Sequence, residues 1–94
     1  MNTLTPFIKF MDKIENDARI GTTHMALYMA FYDLWLENNQ VESVDLTASQ
    51  VMKKAKILAR STYVGAIRDL HEWGYLVYQP SYNNRIRSRI RLKT

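Results

Sequence analysis

The first forty residues carry apolar side chains with the period of an α-helix. One narrow stripe, spaced i, i+3, i+4 and i+7, predicts a helix over residues 6–16, with Thr5 as its N-cap and Pro6 at its first position. The stripe consists of Phe7, Phe10, Met11 and Ile14.

A second helix is predicted over residues 23–38, and it is apolar around most of its circumference. Such a helix has to be covered on more than one side. We expect the domain core to cover one row, and the N-terminal helix or a partner subunit to cover the other. The rows are Leu27, Phe31 and Leu34, and Tyr28, Tyr32 and Trp35.

Two shorter helices are predicted in the middle of the chain. A short extended segment at residues 41–46 precedes Thr47 and Gln50, which have the spacing of a capping box and begin a helix that ends near Lys56. The helical period resumes at residue 60 and continues to about residue 73. Gly74 then lies where a left-handed C-terminal cap is expected.

After Gly74 the apolar period changes to two, which is typical of β-strands. The pattern predicts a strand at residues 75–78, a turn at residues 80–84 and a returning strand at residues 86–92. In the returning strand, cationic residues alternate with Ile86, Ser88, Ile90 and Leu92, so the two sets should lie on opposite faces. The cationic set is Arg85, Arg87, Arg89, Arg91 and Lys93.

Charge is distributed unevenly along the chain, whose formal net charge is +4. Residues 1–52 hold three Lys/Arg and seven Asp/Glu, a net −4, whereas residues 53–94 hold ten Lys/Arg and two Asp/Glu, a net +8. This asymmetry predicts one surface that binds a polyanion. A solvated basic tail is the alternative, which the alternation of cations with apolar residues disfavours.

Composition narrows the functional classes. A length of 94 residues with 47% hydrophobic side chains suits one compact domain, and the lack of cysteine excludes disulfides and thiolate chemistry. We find no signal-peptide pattern and no apolar run long enough for a membrane span, so a cytoplasmic protein without membrane association is expected. No catalytic, metal-binding or phosphate-loop motif occurs, so we expect neither an enzyme nor a cofactor nor a bound metal.

The order of predicted elements resembles the winged helix-turn-helix fold. Residues 46–51 and 59–76 resemble the helix-turn-helix signature of winged-helix transcription regulators and replication initiators, in which a Ser/Thr cluster opens the recognition helix and a glycine precedes the first wing strand. Here Ser61 and Thr62 form the cluster and Gly74 is the glycine, while Ala59 replaces the usual capping residue.

This resemblance implies a single α+β, mainly α domain over residues 1–94. It would have an N-terminal helical extension at residues 1–20, a helical core with the helix-turn-helix at residues 21–74, and a β-hairpin wing at residues 75–94. The implied function is double-stranded DNA binding in transcription regulation or replication. With its basic wing and its additional N-terminal helix, the predicted domain is similar to small regulators of bacterial mobile elements and phages.

The predicted recognition helix has one face available for the major groove, opposite Ile67. Arg68 is the expected base contact, because arginine pairs bidentately with guanine. Gly65 indicates either close approach by a phosphate backbone or a tight helix crossing. The predicted face consists of Ser61, Thr62, Val64, Gly65 and Arg68.

Cationic side chains flank this helix on both sides in the sequence. Those around the turn are expected to contact phosphates, and those of the wing to reach the backbone or the minor groove. Protection of an edge strand against aggregation is the alternative for the wing, but one or two charges would satisfy it. The expected contacts are Lys53, Lys54, Lys56 and Arg60 at the turn, and Arg85, Arg87, Arg89 and Arg91 in the wing.

The N-terminal stripe favours a homodimer, in which Phe7, Phe10, Met11 and Ile14 would meet a second copy. If the stripe folds back on its own domain, it is additional core. Two other functions stay open. The acidic, aromatic-rich first half suits a protein-interaction winged helix, and exposed Tyr78 and Tyr82 would suit RNA binding by base stacking.

Overall fold

The computed structural model describes residues 4–38, 44–79 and 88–92. Within these residues the chain forms four helices and three strands, which confirms an α+β, mainly α class. Each predicted helix is present, with both ends within two residues of the prediction. The elements are α1 (Thr5–Ile14), α2 (Thr22–Glu37), β1 (Val44–Leu46), α3 (Ala48–Ala55), α4 (Arg60–Glu72), β2 (Leu76–Gln79) and β3 (Ser88–Leu92).

The strands form one antiparallel sheet in the order β1-β3-β2. Tyr78 pairs with Ile90 and Leu76 with Leu92 across β2 and β3, and Ile90 and Leu76 are buried in the core. Arg89 and Arg91 alternate with them and are exposed, as the period of two predicts. Arg85, Arg87 and the predicted turn at residues 80–84 lie outside the described residues.

The core lies between α2, α4 and the inner face of the sheet. Leu27 of α2, Ile67 and Leu70 of α4 and Leu76 of β2 are fully buried. Because both rows of α2 are buried, this helix is the central element, in contact with α1, α3, α4 and β3. The expectation that α2 is covered on more than one side is confirmed.

Helix α1 covers the tyrosine row of α2. The ring of Phe10 lies parallel to that of Tyr28 with centroids 3.7 Å apart, and it meets the Tyr75 ring edge-on at 5.5 Å. Phe7 and Ile14 also pack against the core. Phe10 is only 3% exposed, so its assignment to a dimer interface is wrong, and the stripe is largely additional core. Of the four stripe residues, Met11 alone is exposed.

The helix ends agree with most of the capping predictions. Thr47 Oγ1 accepts a hydrogen bond from the Gln50 backbone N–H at 3.2 Å, and Gln50 Oε1 accepts one from the Thr47 N–H at 3.0 Å, which completes the capping box. Gly74 has a φ of 84°, as its C-terminal position predicts. The start of α1 was predicted wrongly, because Leu4 is the N-cap and Thr5 is already helical.

None of the four helices in the described segments combines the length and the apolar character that a lipid bilayer crossing requires.

Candidate functional site

The outward side of α4 is a polar strip on an otherwise buried helix. Tyr63, Ala66, Ile67 and Leu70 are in the core, so the opposite side faces solvent. We call this side the α4 outer face. It consists of Ser61, Thr62, Val64, Gly65 and Arg68, all of which are exposed, as the helical period predicts.

Gly65 lies in the middle of the α4 outer face with open space above it. A Cβ built at this position meets no atom within 4 Å, so the described residues form no helix crossing here and that interpretation is wrong. Glycine in a helix interior costs about 1 kcal/mol relative to alanine. No described residue packs against Gly65, so among residues 4–38, 44–79 and 88–92 the surface over it is open to close approach from outside.

The start of α4 is not capped by a side chain. Ala59 is the N-cap and accepts no hydrogen bond through a side chain, and neither Ser61 nor Thr62 takes over this role. Just before it, Leu58 is 98% exposed, whereas its neighbour Ile57 is 8% exposed. The sequence pattern predicts a turn here, but it does not indicate which of these two apolar side chains points outward.

Three cations in the last turn of α3, at its C-cap and at the start of α4 are available to a ligand. Lys53, Lys56 and Arg60 are exposed, and their side chains form no ion pair within the described part of the chain. Lys56 also has a left-handed backbone with a φ of 63°, which is uncommon for a residue with a side chain.

Lys54 does not belong to this group. Its ammonium bonds to the carboxylate of Asp33 and, at 3.2 Å, to that of Glu37 on α2. The bond with Asp33, and then that with Glu37, raises the pKa of Lys54 above its ordinary value. The expectation that Lys54 contacts phosphates is therefore wrong for this conformation, because two carboxylates already neutralise its charge.

The arginines of β3 lie apart from the α4 outer face. Arg89 pairs in register with Gln79, and Arg91 with Val77, on the sheet face opposite buried Ile90. Because α4 packs on the Ile90 side, the sheet body separates the two cationic groups. Arg89 and Arg91 thus lie on the sheet face that α4 does not cover, Arg85 and Arg87 lie outside the described residues, and the DNA contacts of the wing stay a prediction.

A concavity of about 310 Å³ lies beside the C-terminal half of α4. Its lining consists of Arg68, His71, Glu72 and Tyr78. The Tyr78 backbone N–H donates to His71 Nδ1 at 3.0 Å. Tyr78 is partly buried and packs against the core, so its ring is less exposed than the RNA-binding alternative assumes. Tyr82 lies outside the described residues.

A second polar cluster joins the α1–α2 connection to the end of α4. Arg19 donates through Nε and Nη2 to the two carboxylate oxygens of Asp17, both at 2.8 Å, and the Tyr75 hydroxyl donates to Asp17 at 2.6 Å. These bonds hold the pKa of Asp17 well below its usual range, the Arg19 bond contributing most. The Arg19 guanidinium also lies 4.5 Å from the centre of the Trp73 ring.

His24 anchors the start of α2 to α4. Its Nδ1 accepts a hydrogen bond from the Gly21 backbone N–H at 3.0 Å, so its Nε2 carries the proton that bonds to Asp69 at 2.8 Å. All of these groups are engaged with one another. The arrangement fixes the start of α2 against α4.

Neither a cluster of metal ligands nor a match to a known protein points to a further site. Within residues 4–38, 44–79 and 88–92, no three His, Asp or Glu side chains come together as metal ligands. Comparison with protein families, with curated proteins and with solved structures finds no match for this chain.

Proposed function

We propose that this chain is a winged helix-turn-helix domain that binds double-stranded DNA with the α4 outer face in the major groove. The observation that carries the proposal is the exposed strip of Ser61, Thr62, Gly65 and Arg68, with open space over Gly65. An α-helix fits the major groove, where hydroxyl groups such as those of Ser61 and Thr62 can bond to base edges.

The arrangement of elements supports the same proposal. A strand lies between α2 and α3, a four-residue connection joins α3 to α4, and two antiparallel strands follow. This is the order of elements that the winged-helix resemblance implies, and β1 pairs with β3 to join the three strands in one sheet. Transcription regulation or a role in replication is the corresponding biological proposal.

Charge supports association with a polyanion. Lys56 and Arg60 lie just before and at the start of α4, Lys53 lies in the last turn of α3, and none of the three forms an ion pair among the described residues. Cations in this position contact phosphates and release counterions, which sets affinity without reading sequence. Arg89 and Arg91 add to the long-range positive potential from the far side of the sheet.

Titration of duplex DNA at two salt concentrations tests the proposal. We expect binding at about 50 mM salt that weakens steeply by about 200 mM. Arg60→Ala should lower the slope of log affinity against log salt by about 0.9, because one phosphate contact is lost. Lys9→Ala, which removes an exposed cation from α1, is the matched control and should leave the slope unchanged.

Absence of duplex binding at low salt, or binding that ignores salt, would sink the proposal. Preferential binding of single-stranded RNA would favour the RNA-binding alternative. A stable protein complex that survives the combined Arg60→Ala and Arg68→Ala substitutions would favour the protein-interaction alternative. Selection from a random duplex pool then identifies the preferred site, and a palindrome would indicate a homodimer.

A further inference from the structure

The concavity between α4 and β2 contains two hydrogen-bond donors that sequence reasoning did not bring together. Arg68 and His71 are three residues apart on α4, so their side chains lie on adjacent turns of one side. Arg68 is an exposed residue and forms no ion pair with any described residue. Both side chains line the same space of about 310 Å³.

A hydrogen bond from β2 determines which ring nitrogen of His71 carries the proton. Because Nδ1 accepts the Tyr78 N–H at 3.0 Å, the neutral ring carries its proton on Nε2 and has a donor there. The same bond holds the imidazole against β2. His71 therefore offers one oriented donor whose position depends on the strand as well as on the helix, and no ordering of the ring is needed when a ligand arrives.

The acceptor that suits these donors is an anionic oxygen with little steric bulk. A guanidinium and an imidazole N–H together match a phosphate group, since charge-assisted bonds to phosphate oxygens are strong and directional. Glu72 lines the same space, and its carboxylate opposes an anion. A small anion alone would therefore bind weakly, whereas a phosphate that belongs to a duplex already held by α4 would be delivered to the site.

We propose that the Arg68–His71 concavity seats one phosphodiester of the DNA backbone, so that Arg68 positions the duplex and does not read a base. This inference rests on the proposed DNA-binding function and assigns Arg68 a different contact from the one its sequence position suggests. His71 and β2 then set the angle of α4 in the groove, because the phosphate is held at a fixed distance from the sheet.

Two substitutions at His71 separate binding from folding. His71→Asn keeps an acceptor near the Nδ1 position for the Tyr78 N–H and removes the donor at Nε2, whereas His71→Gln keeps a donor near the Nε2 position. We expect His71→Asn to melt within a few degrees of the parent and to bind duplex DNA about tenfold more weakly. His71→Gln should recover part of this loss.

Arg68→Ala and Glu72→Gln complete the test. Arg68→Ala should weaken binding to a selected duplex and to a random duplex of equal length by the same factor, and lower the salt slope by about 1. Glu72→Gln should strengthen binding by more than Glu15→Gln, a matched loss of one exposed carboxylate that does not line the concavity.

The outcomes distinguish this inference from the proposed function. If the parent binds DNA but His71→Asn binds equally well, or if Arg68→Ala relaxes the preference at one base pair only, the concavity is not a phosphate seat and DNA binding stands. If the parent binds no duplex at low salt, the proposed function itself fails. If the chemical shifts of His71 change and reach a plateau as potassium phosphate is added to millimolar concentration, the site binds a free anion and the inference is overturned.

Discussion

Lys56 shows how one residue can serve binding at a cost to folding. It ends α3 with a φ of 63°, a conformation that glycine adopts freely and that costs a residue with a Cβ about 1 kcal/mol. Its side chain is exposed and lies close in sequence to Arg60 at the start of α4. A lysine in this position is explained if its ammonium contacts a ligand.

Lys56→Gly should therefore stabilise the fold while weakening DNA binding. We expect a gain of about 0.5–1 kcal/mol in the free energy of unfolding, because relief of backbone strain exceeds the added entropy of the unfolded chain. Denaturant unfolding measures it. Lys53→Gly is the control, since Lys53 is inside α3 and should lose about 1 kcal/mol. A loss of stability in Lys56→Gly would contradict the prediction.

At the residue scale, local chemistry was predictable and long-range partners were not. The Thr47–Gln50 capping box and the Gly74 cap depend on neighbours within three or four residues, and both were predicted. The Lys54–Asp33 ion pair joins residues 21 positions apart. The pattern of α3 places Lys54 on an outward side, but it contains nothing about the acidic edge of α2 that lies opposite.

Helix α1 is an integral part of the domain. Phe10 stacks on Tyr28, and the Tyr28 hydroxyl donates to the Pro6 carbonyl oxygen at 3.2 Å, so the two helices are joined by packing and by a buried hydrogen bond. Burial raises the pKa of Tyr28 above its ordinary value, which is consistent with a hydroxyl that stays protonated between the helices. Removal of α1 would expose the tyrosine row of α2 to water.

Phe10→Ala should destabilise the whole domain by about 3 kcal/mol, the lower end for a buried phenylalanine. The loss should appear in the midpoint of denaturant unfolding with one cooperative transition. Ile8→Ala changes an exposed residue of the same helix, 48% exposed, and should shift stability by no more than about 0.5 kcal/mol. If Phe10→Ala leaves the free energy of unfolding nearly unchanged, the packing of α1 on α2 does not stabilise the domain.

The stripe on α1 illustrates what element-level patterns leave open. An apolar side of a helix has to be covered, but the pattern is the same whether the cover is a neighbouring helix or a second copy. The homodimer remains a prediction, now without Phe10 as a contact. On α1, the apolar residues still exposed are Leu4, Ile8 and Met11, and sedimentation at high concentration measures whether they associate.

For the molecule as a whole, Asp17 links stability to pH. Its carboxylate accepts bonds from Arg19 and Tyr75, so α1, the connection after it and the start of β2 are held together. These bonds lower the pKa of Asp17 from an ordinary value of 3.8. The unfolded chain takes up a proton that the folded chain resists, so this stabilisation is present above about pH 4 and is lost as the pH falls further.

Asp17→Asn should lower the melting temperature at pH 7 and flatten its decline between about pH 5 and pH 2, because the titrating carboxylate is gone. Thermal melts at four or five pH values measure both effects. Asp12→Asn removes an exposed carboxylate from α1 and should keep the decline of the parent. If the melting temperature of Asp17→Asn falls with pH as steeply as that of the parent, other carboxylates cause the decline.

The global arrangement was the least predictable level for the candidate site. Alternation in β3 correctly separated arginines from apolar residues, but it does not say which face of the sheet α4 covers. Arg89 and Arg91 therefore fell on the far side from the α4 outer face. The His71–Tyr78 bond crosses the Gly74 turn and needs a particular angle between α4 and β2, which neither pattern contains.

The strand order gives the folding of this chain a direction in time. β3 is the last described element in the sequence and also the middle strand, so β1 and β2 have no hydrogen-bonded neighbour until residues 88–92 are in place. During synthesis on the ribosome, the four helices emerge before β3 and can collapse around α2. The two outer strands emerge before β3 as well, but they stay unpaired until it is made. A nascent chain that stops before residue 88 would leave both β1 and β2 unpaired, and unpaired strands are templates for aggregation with other chains.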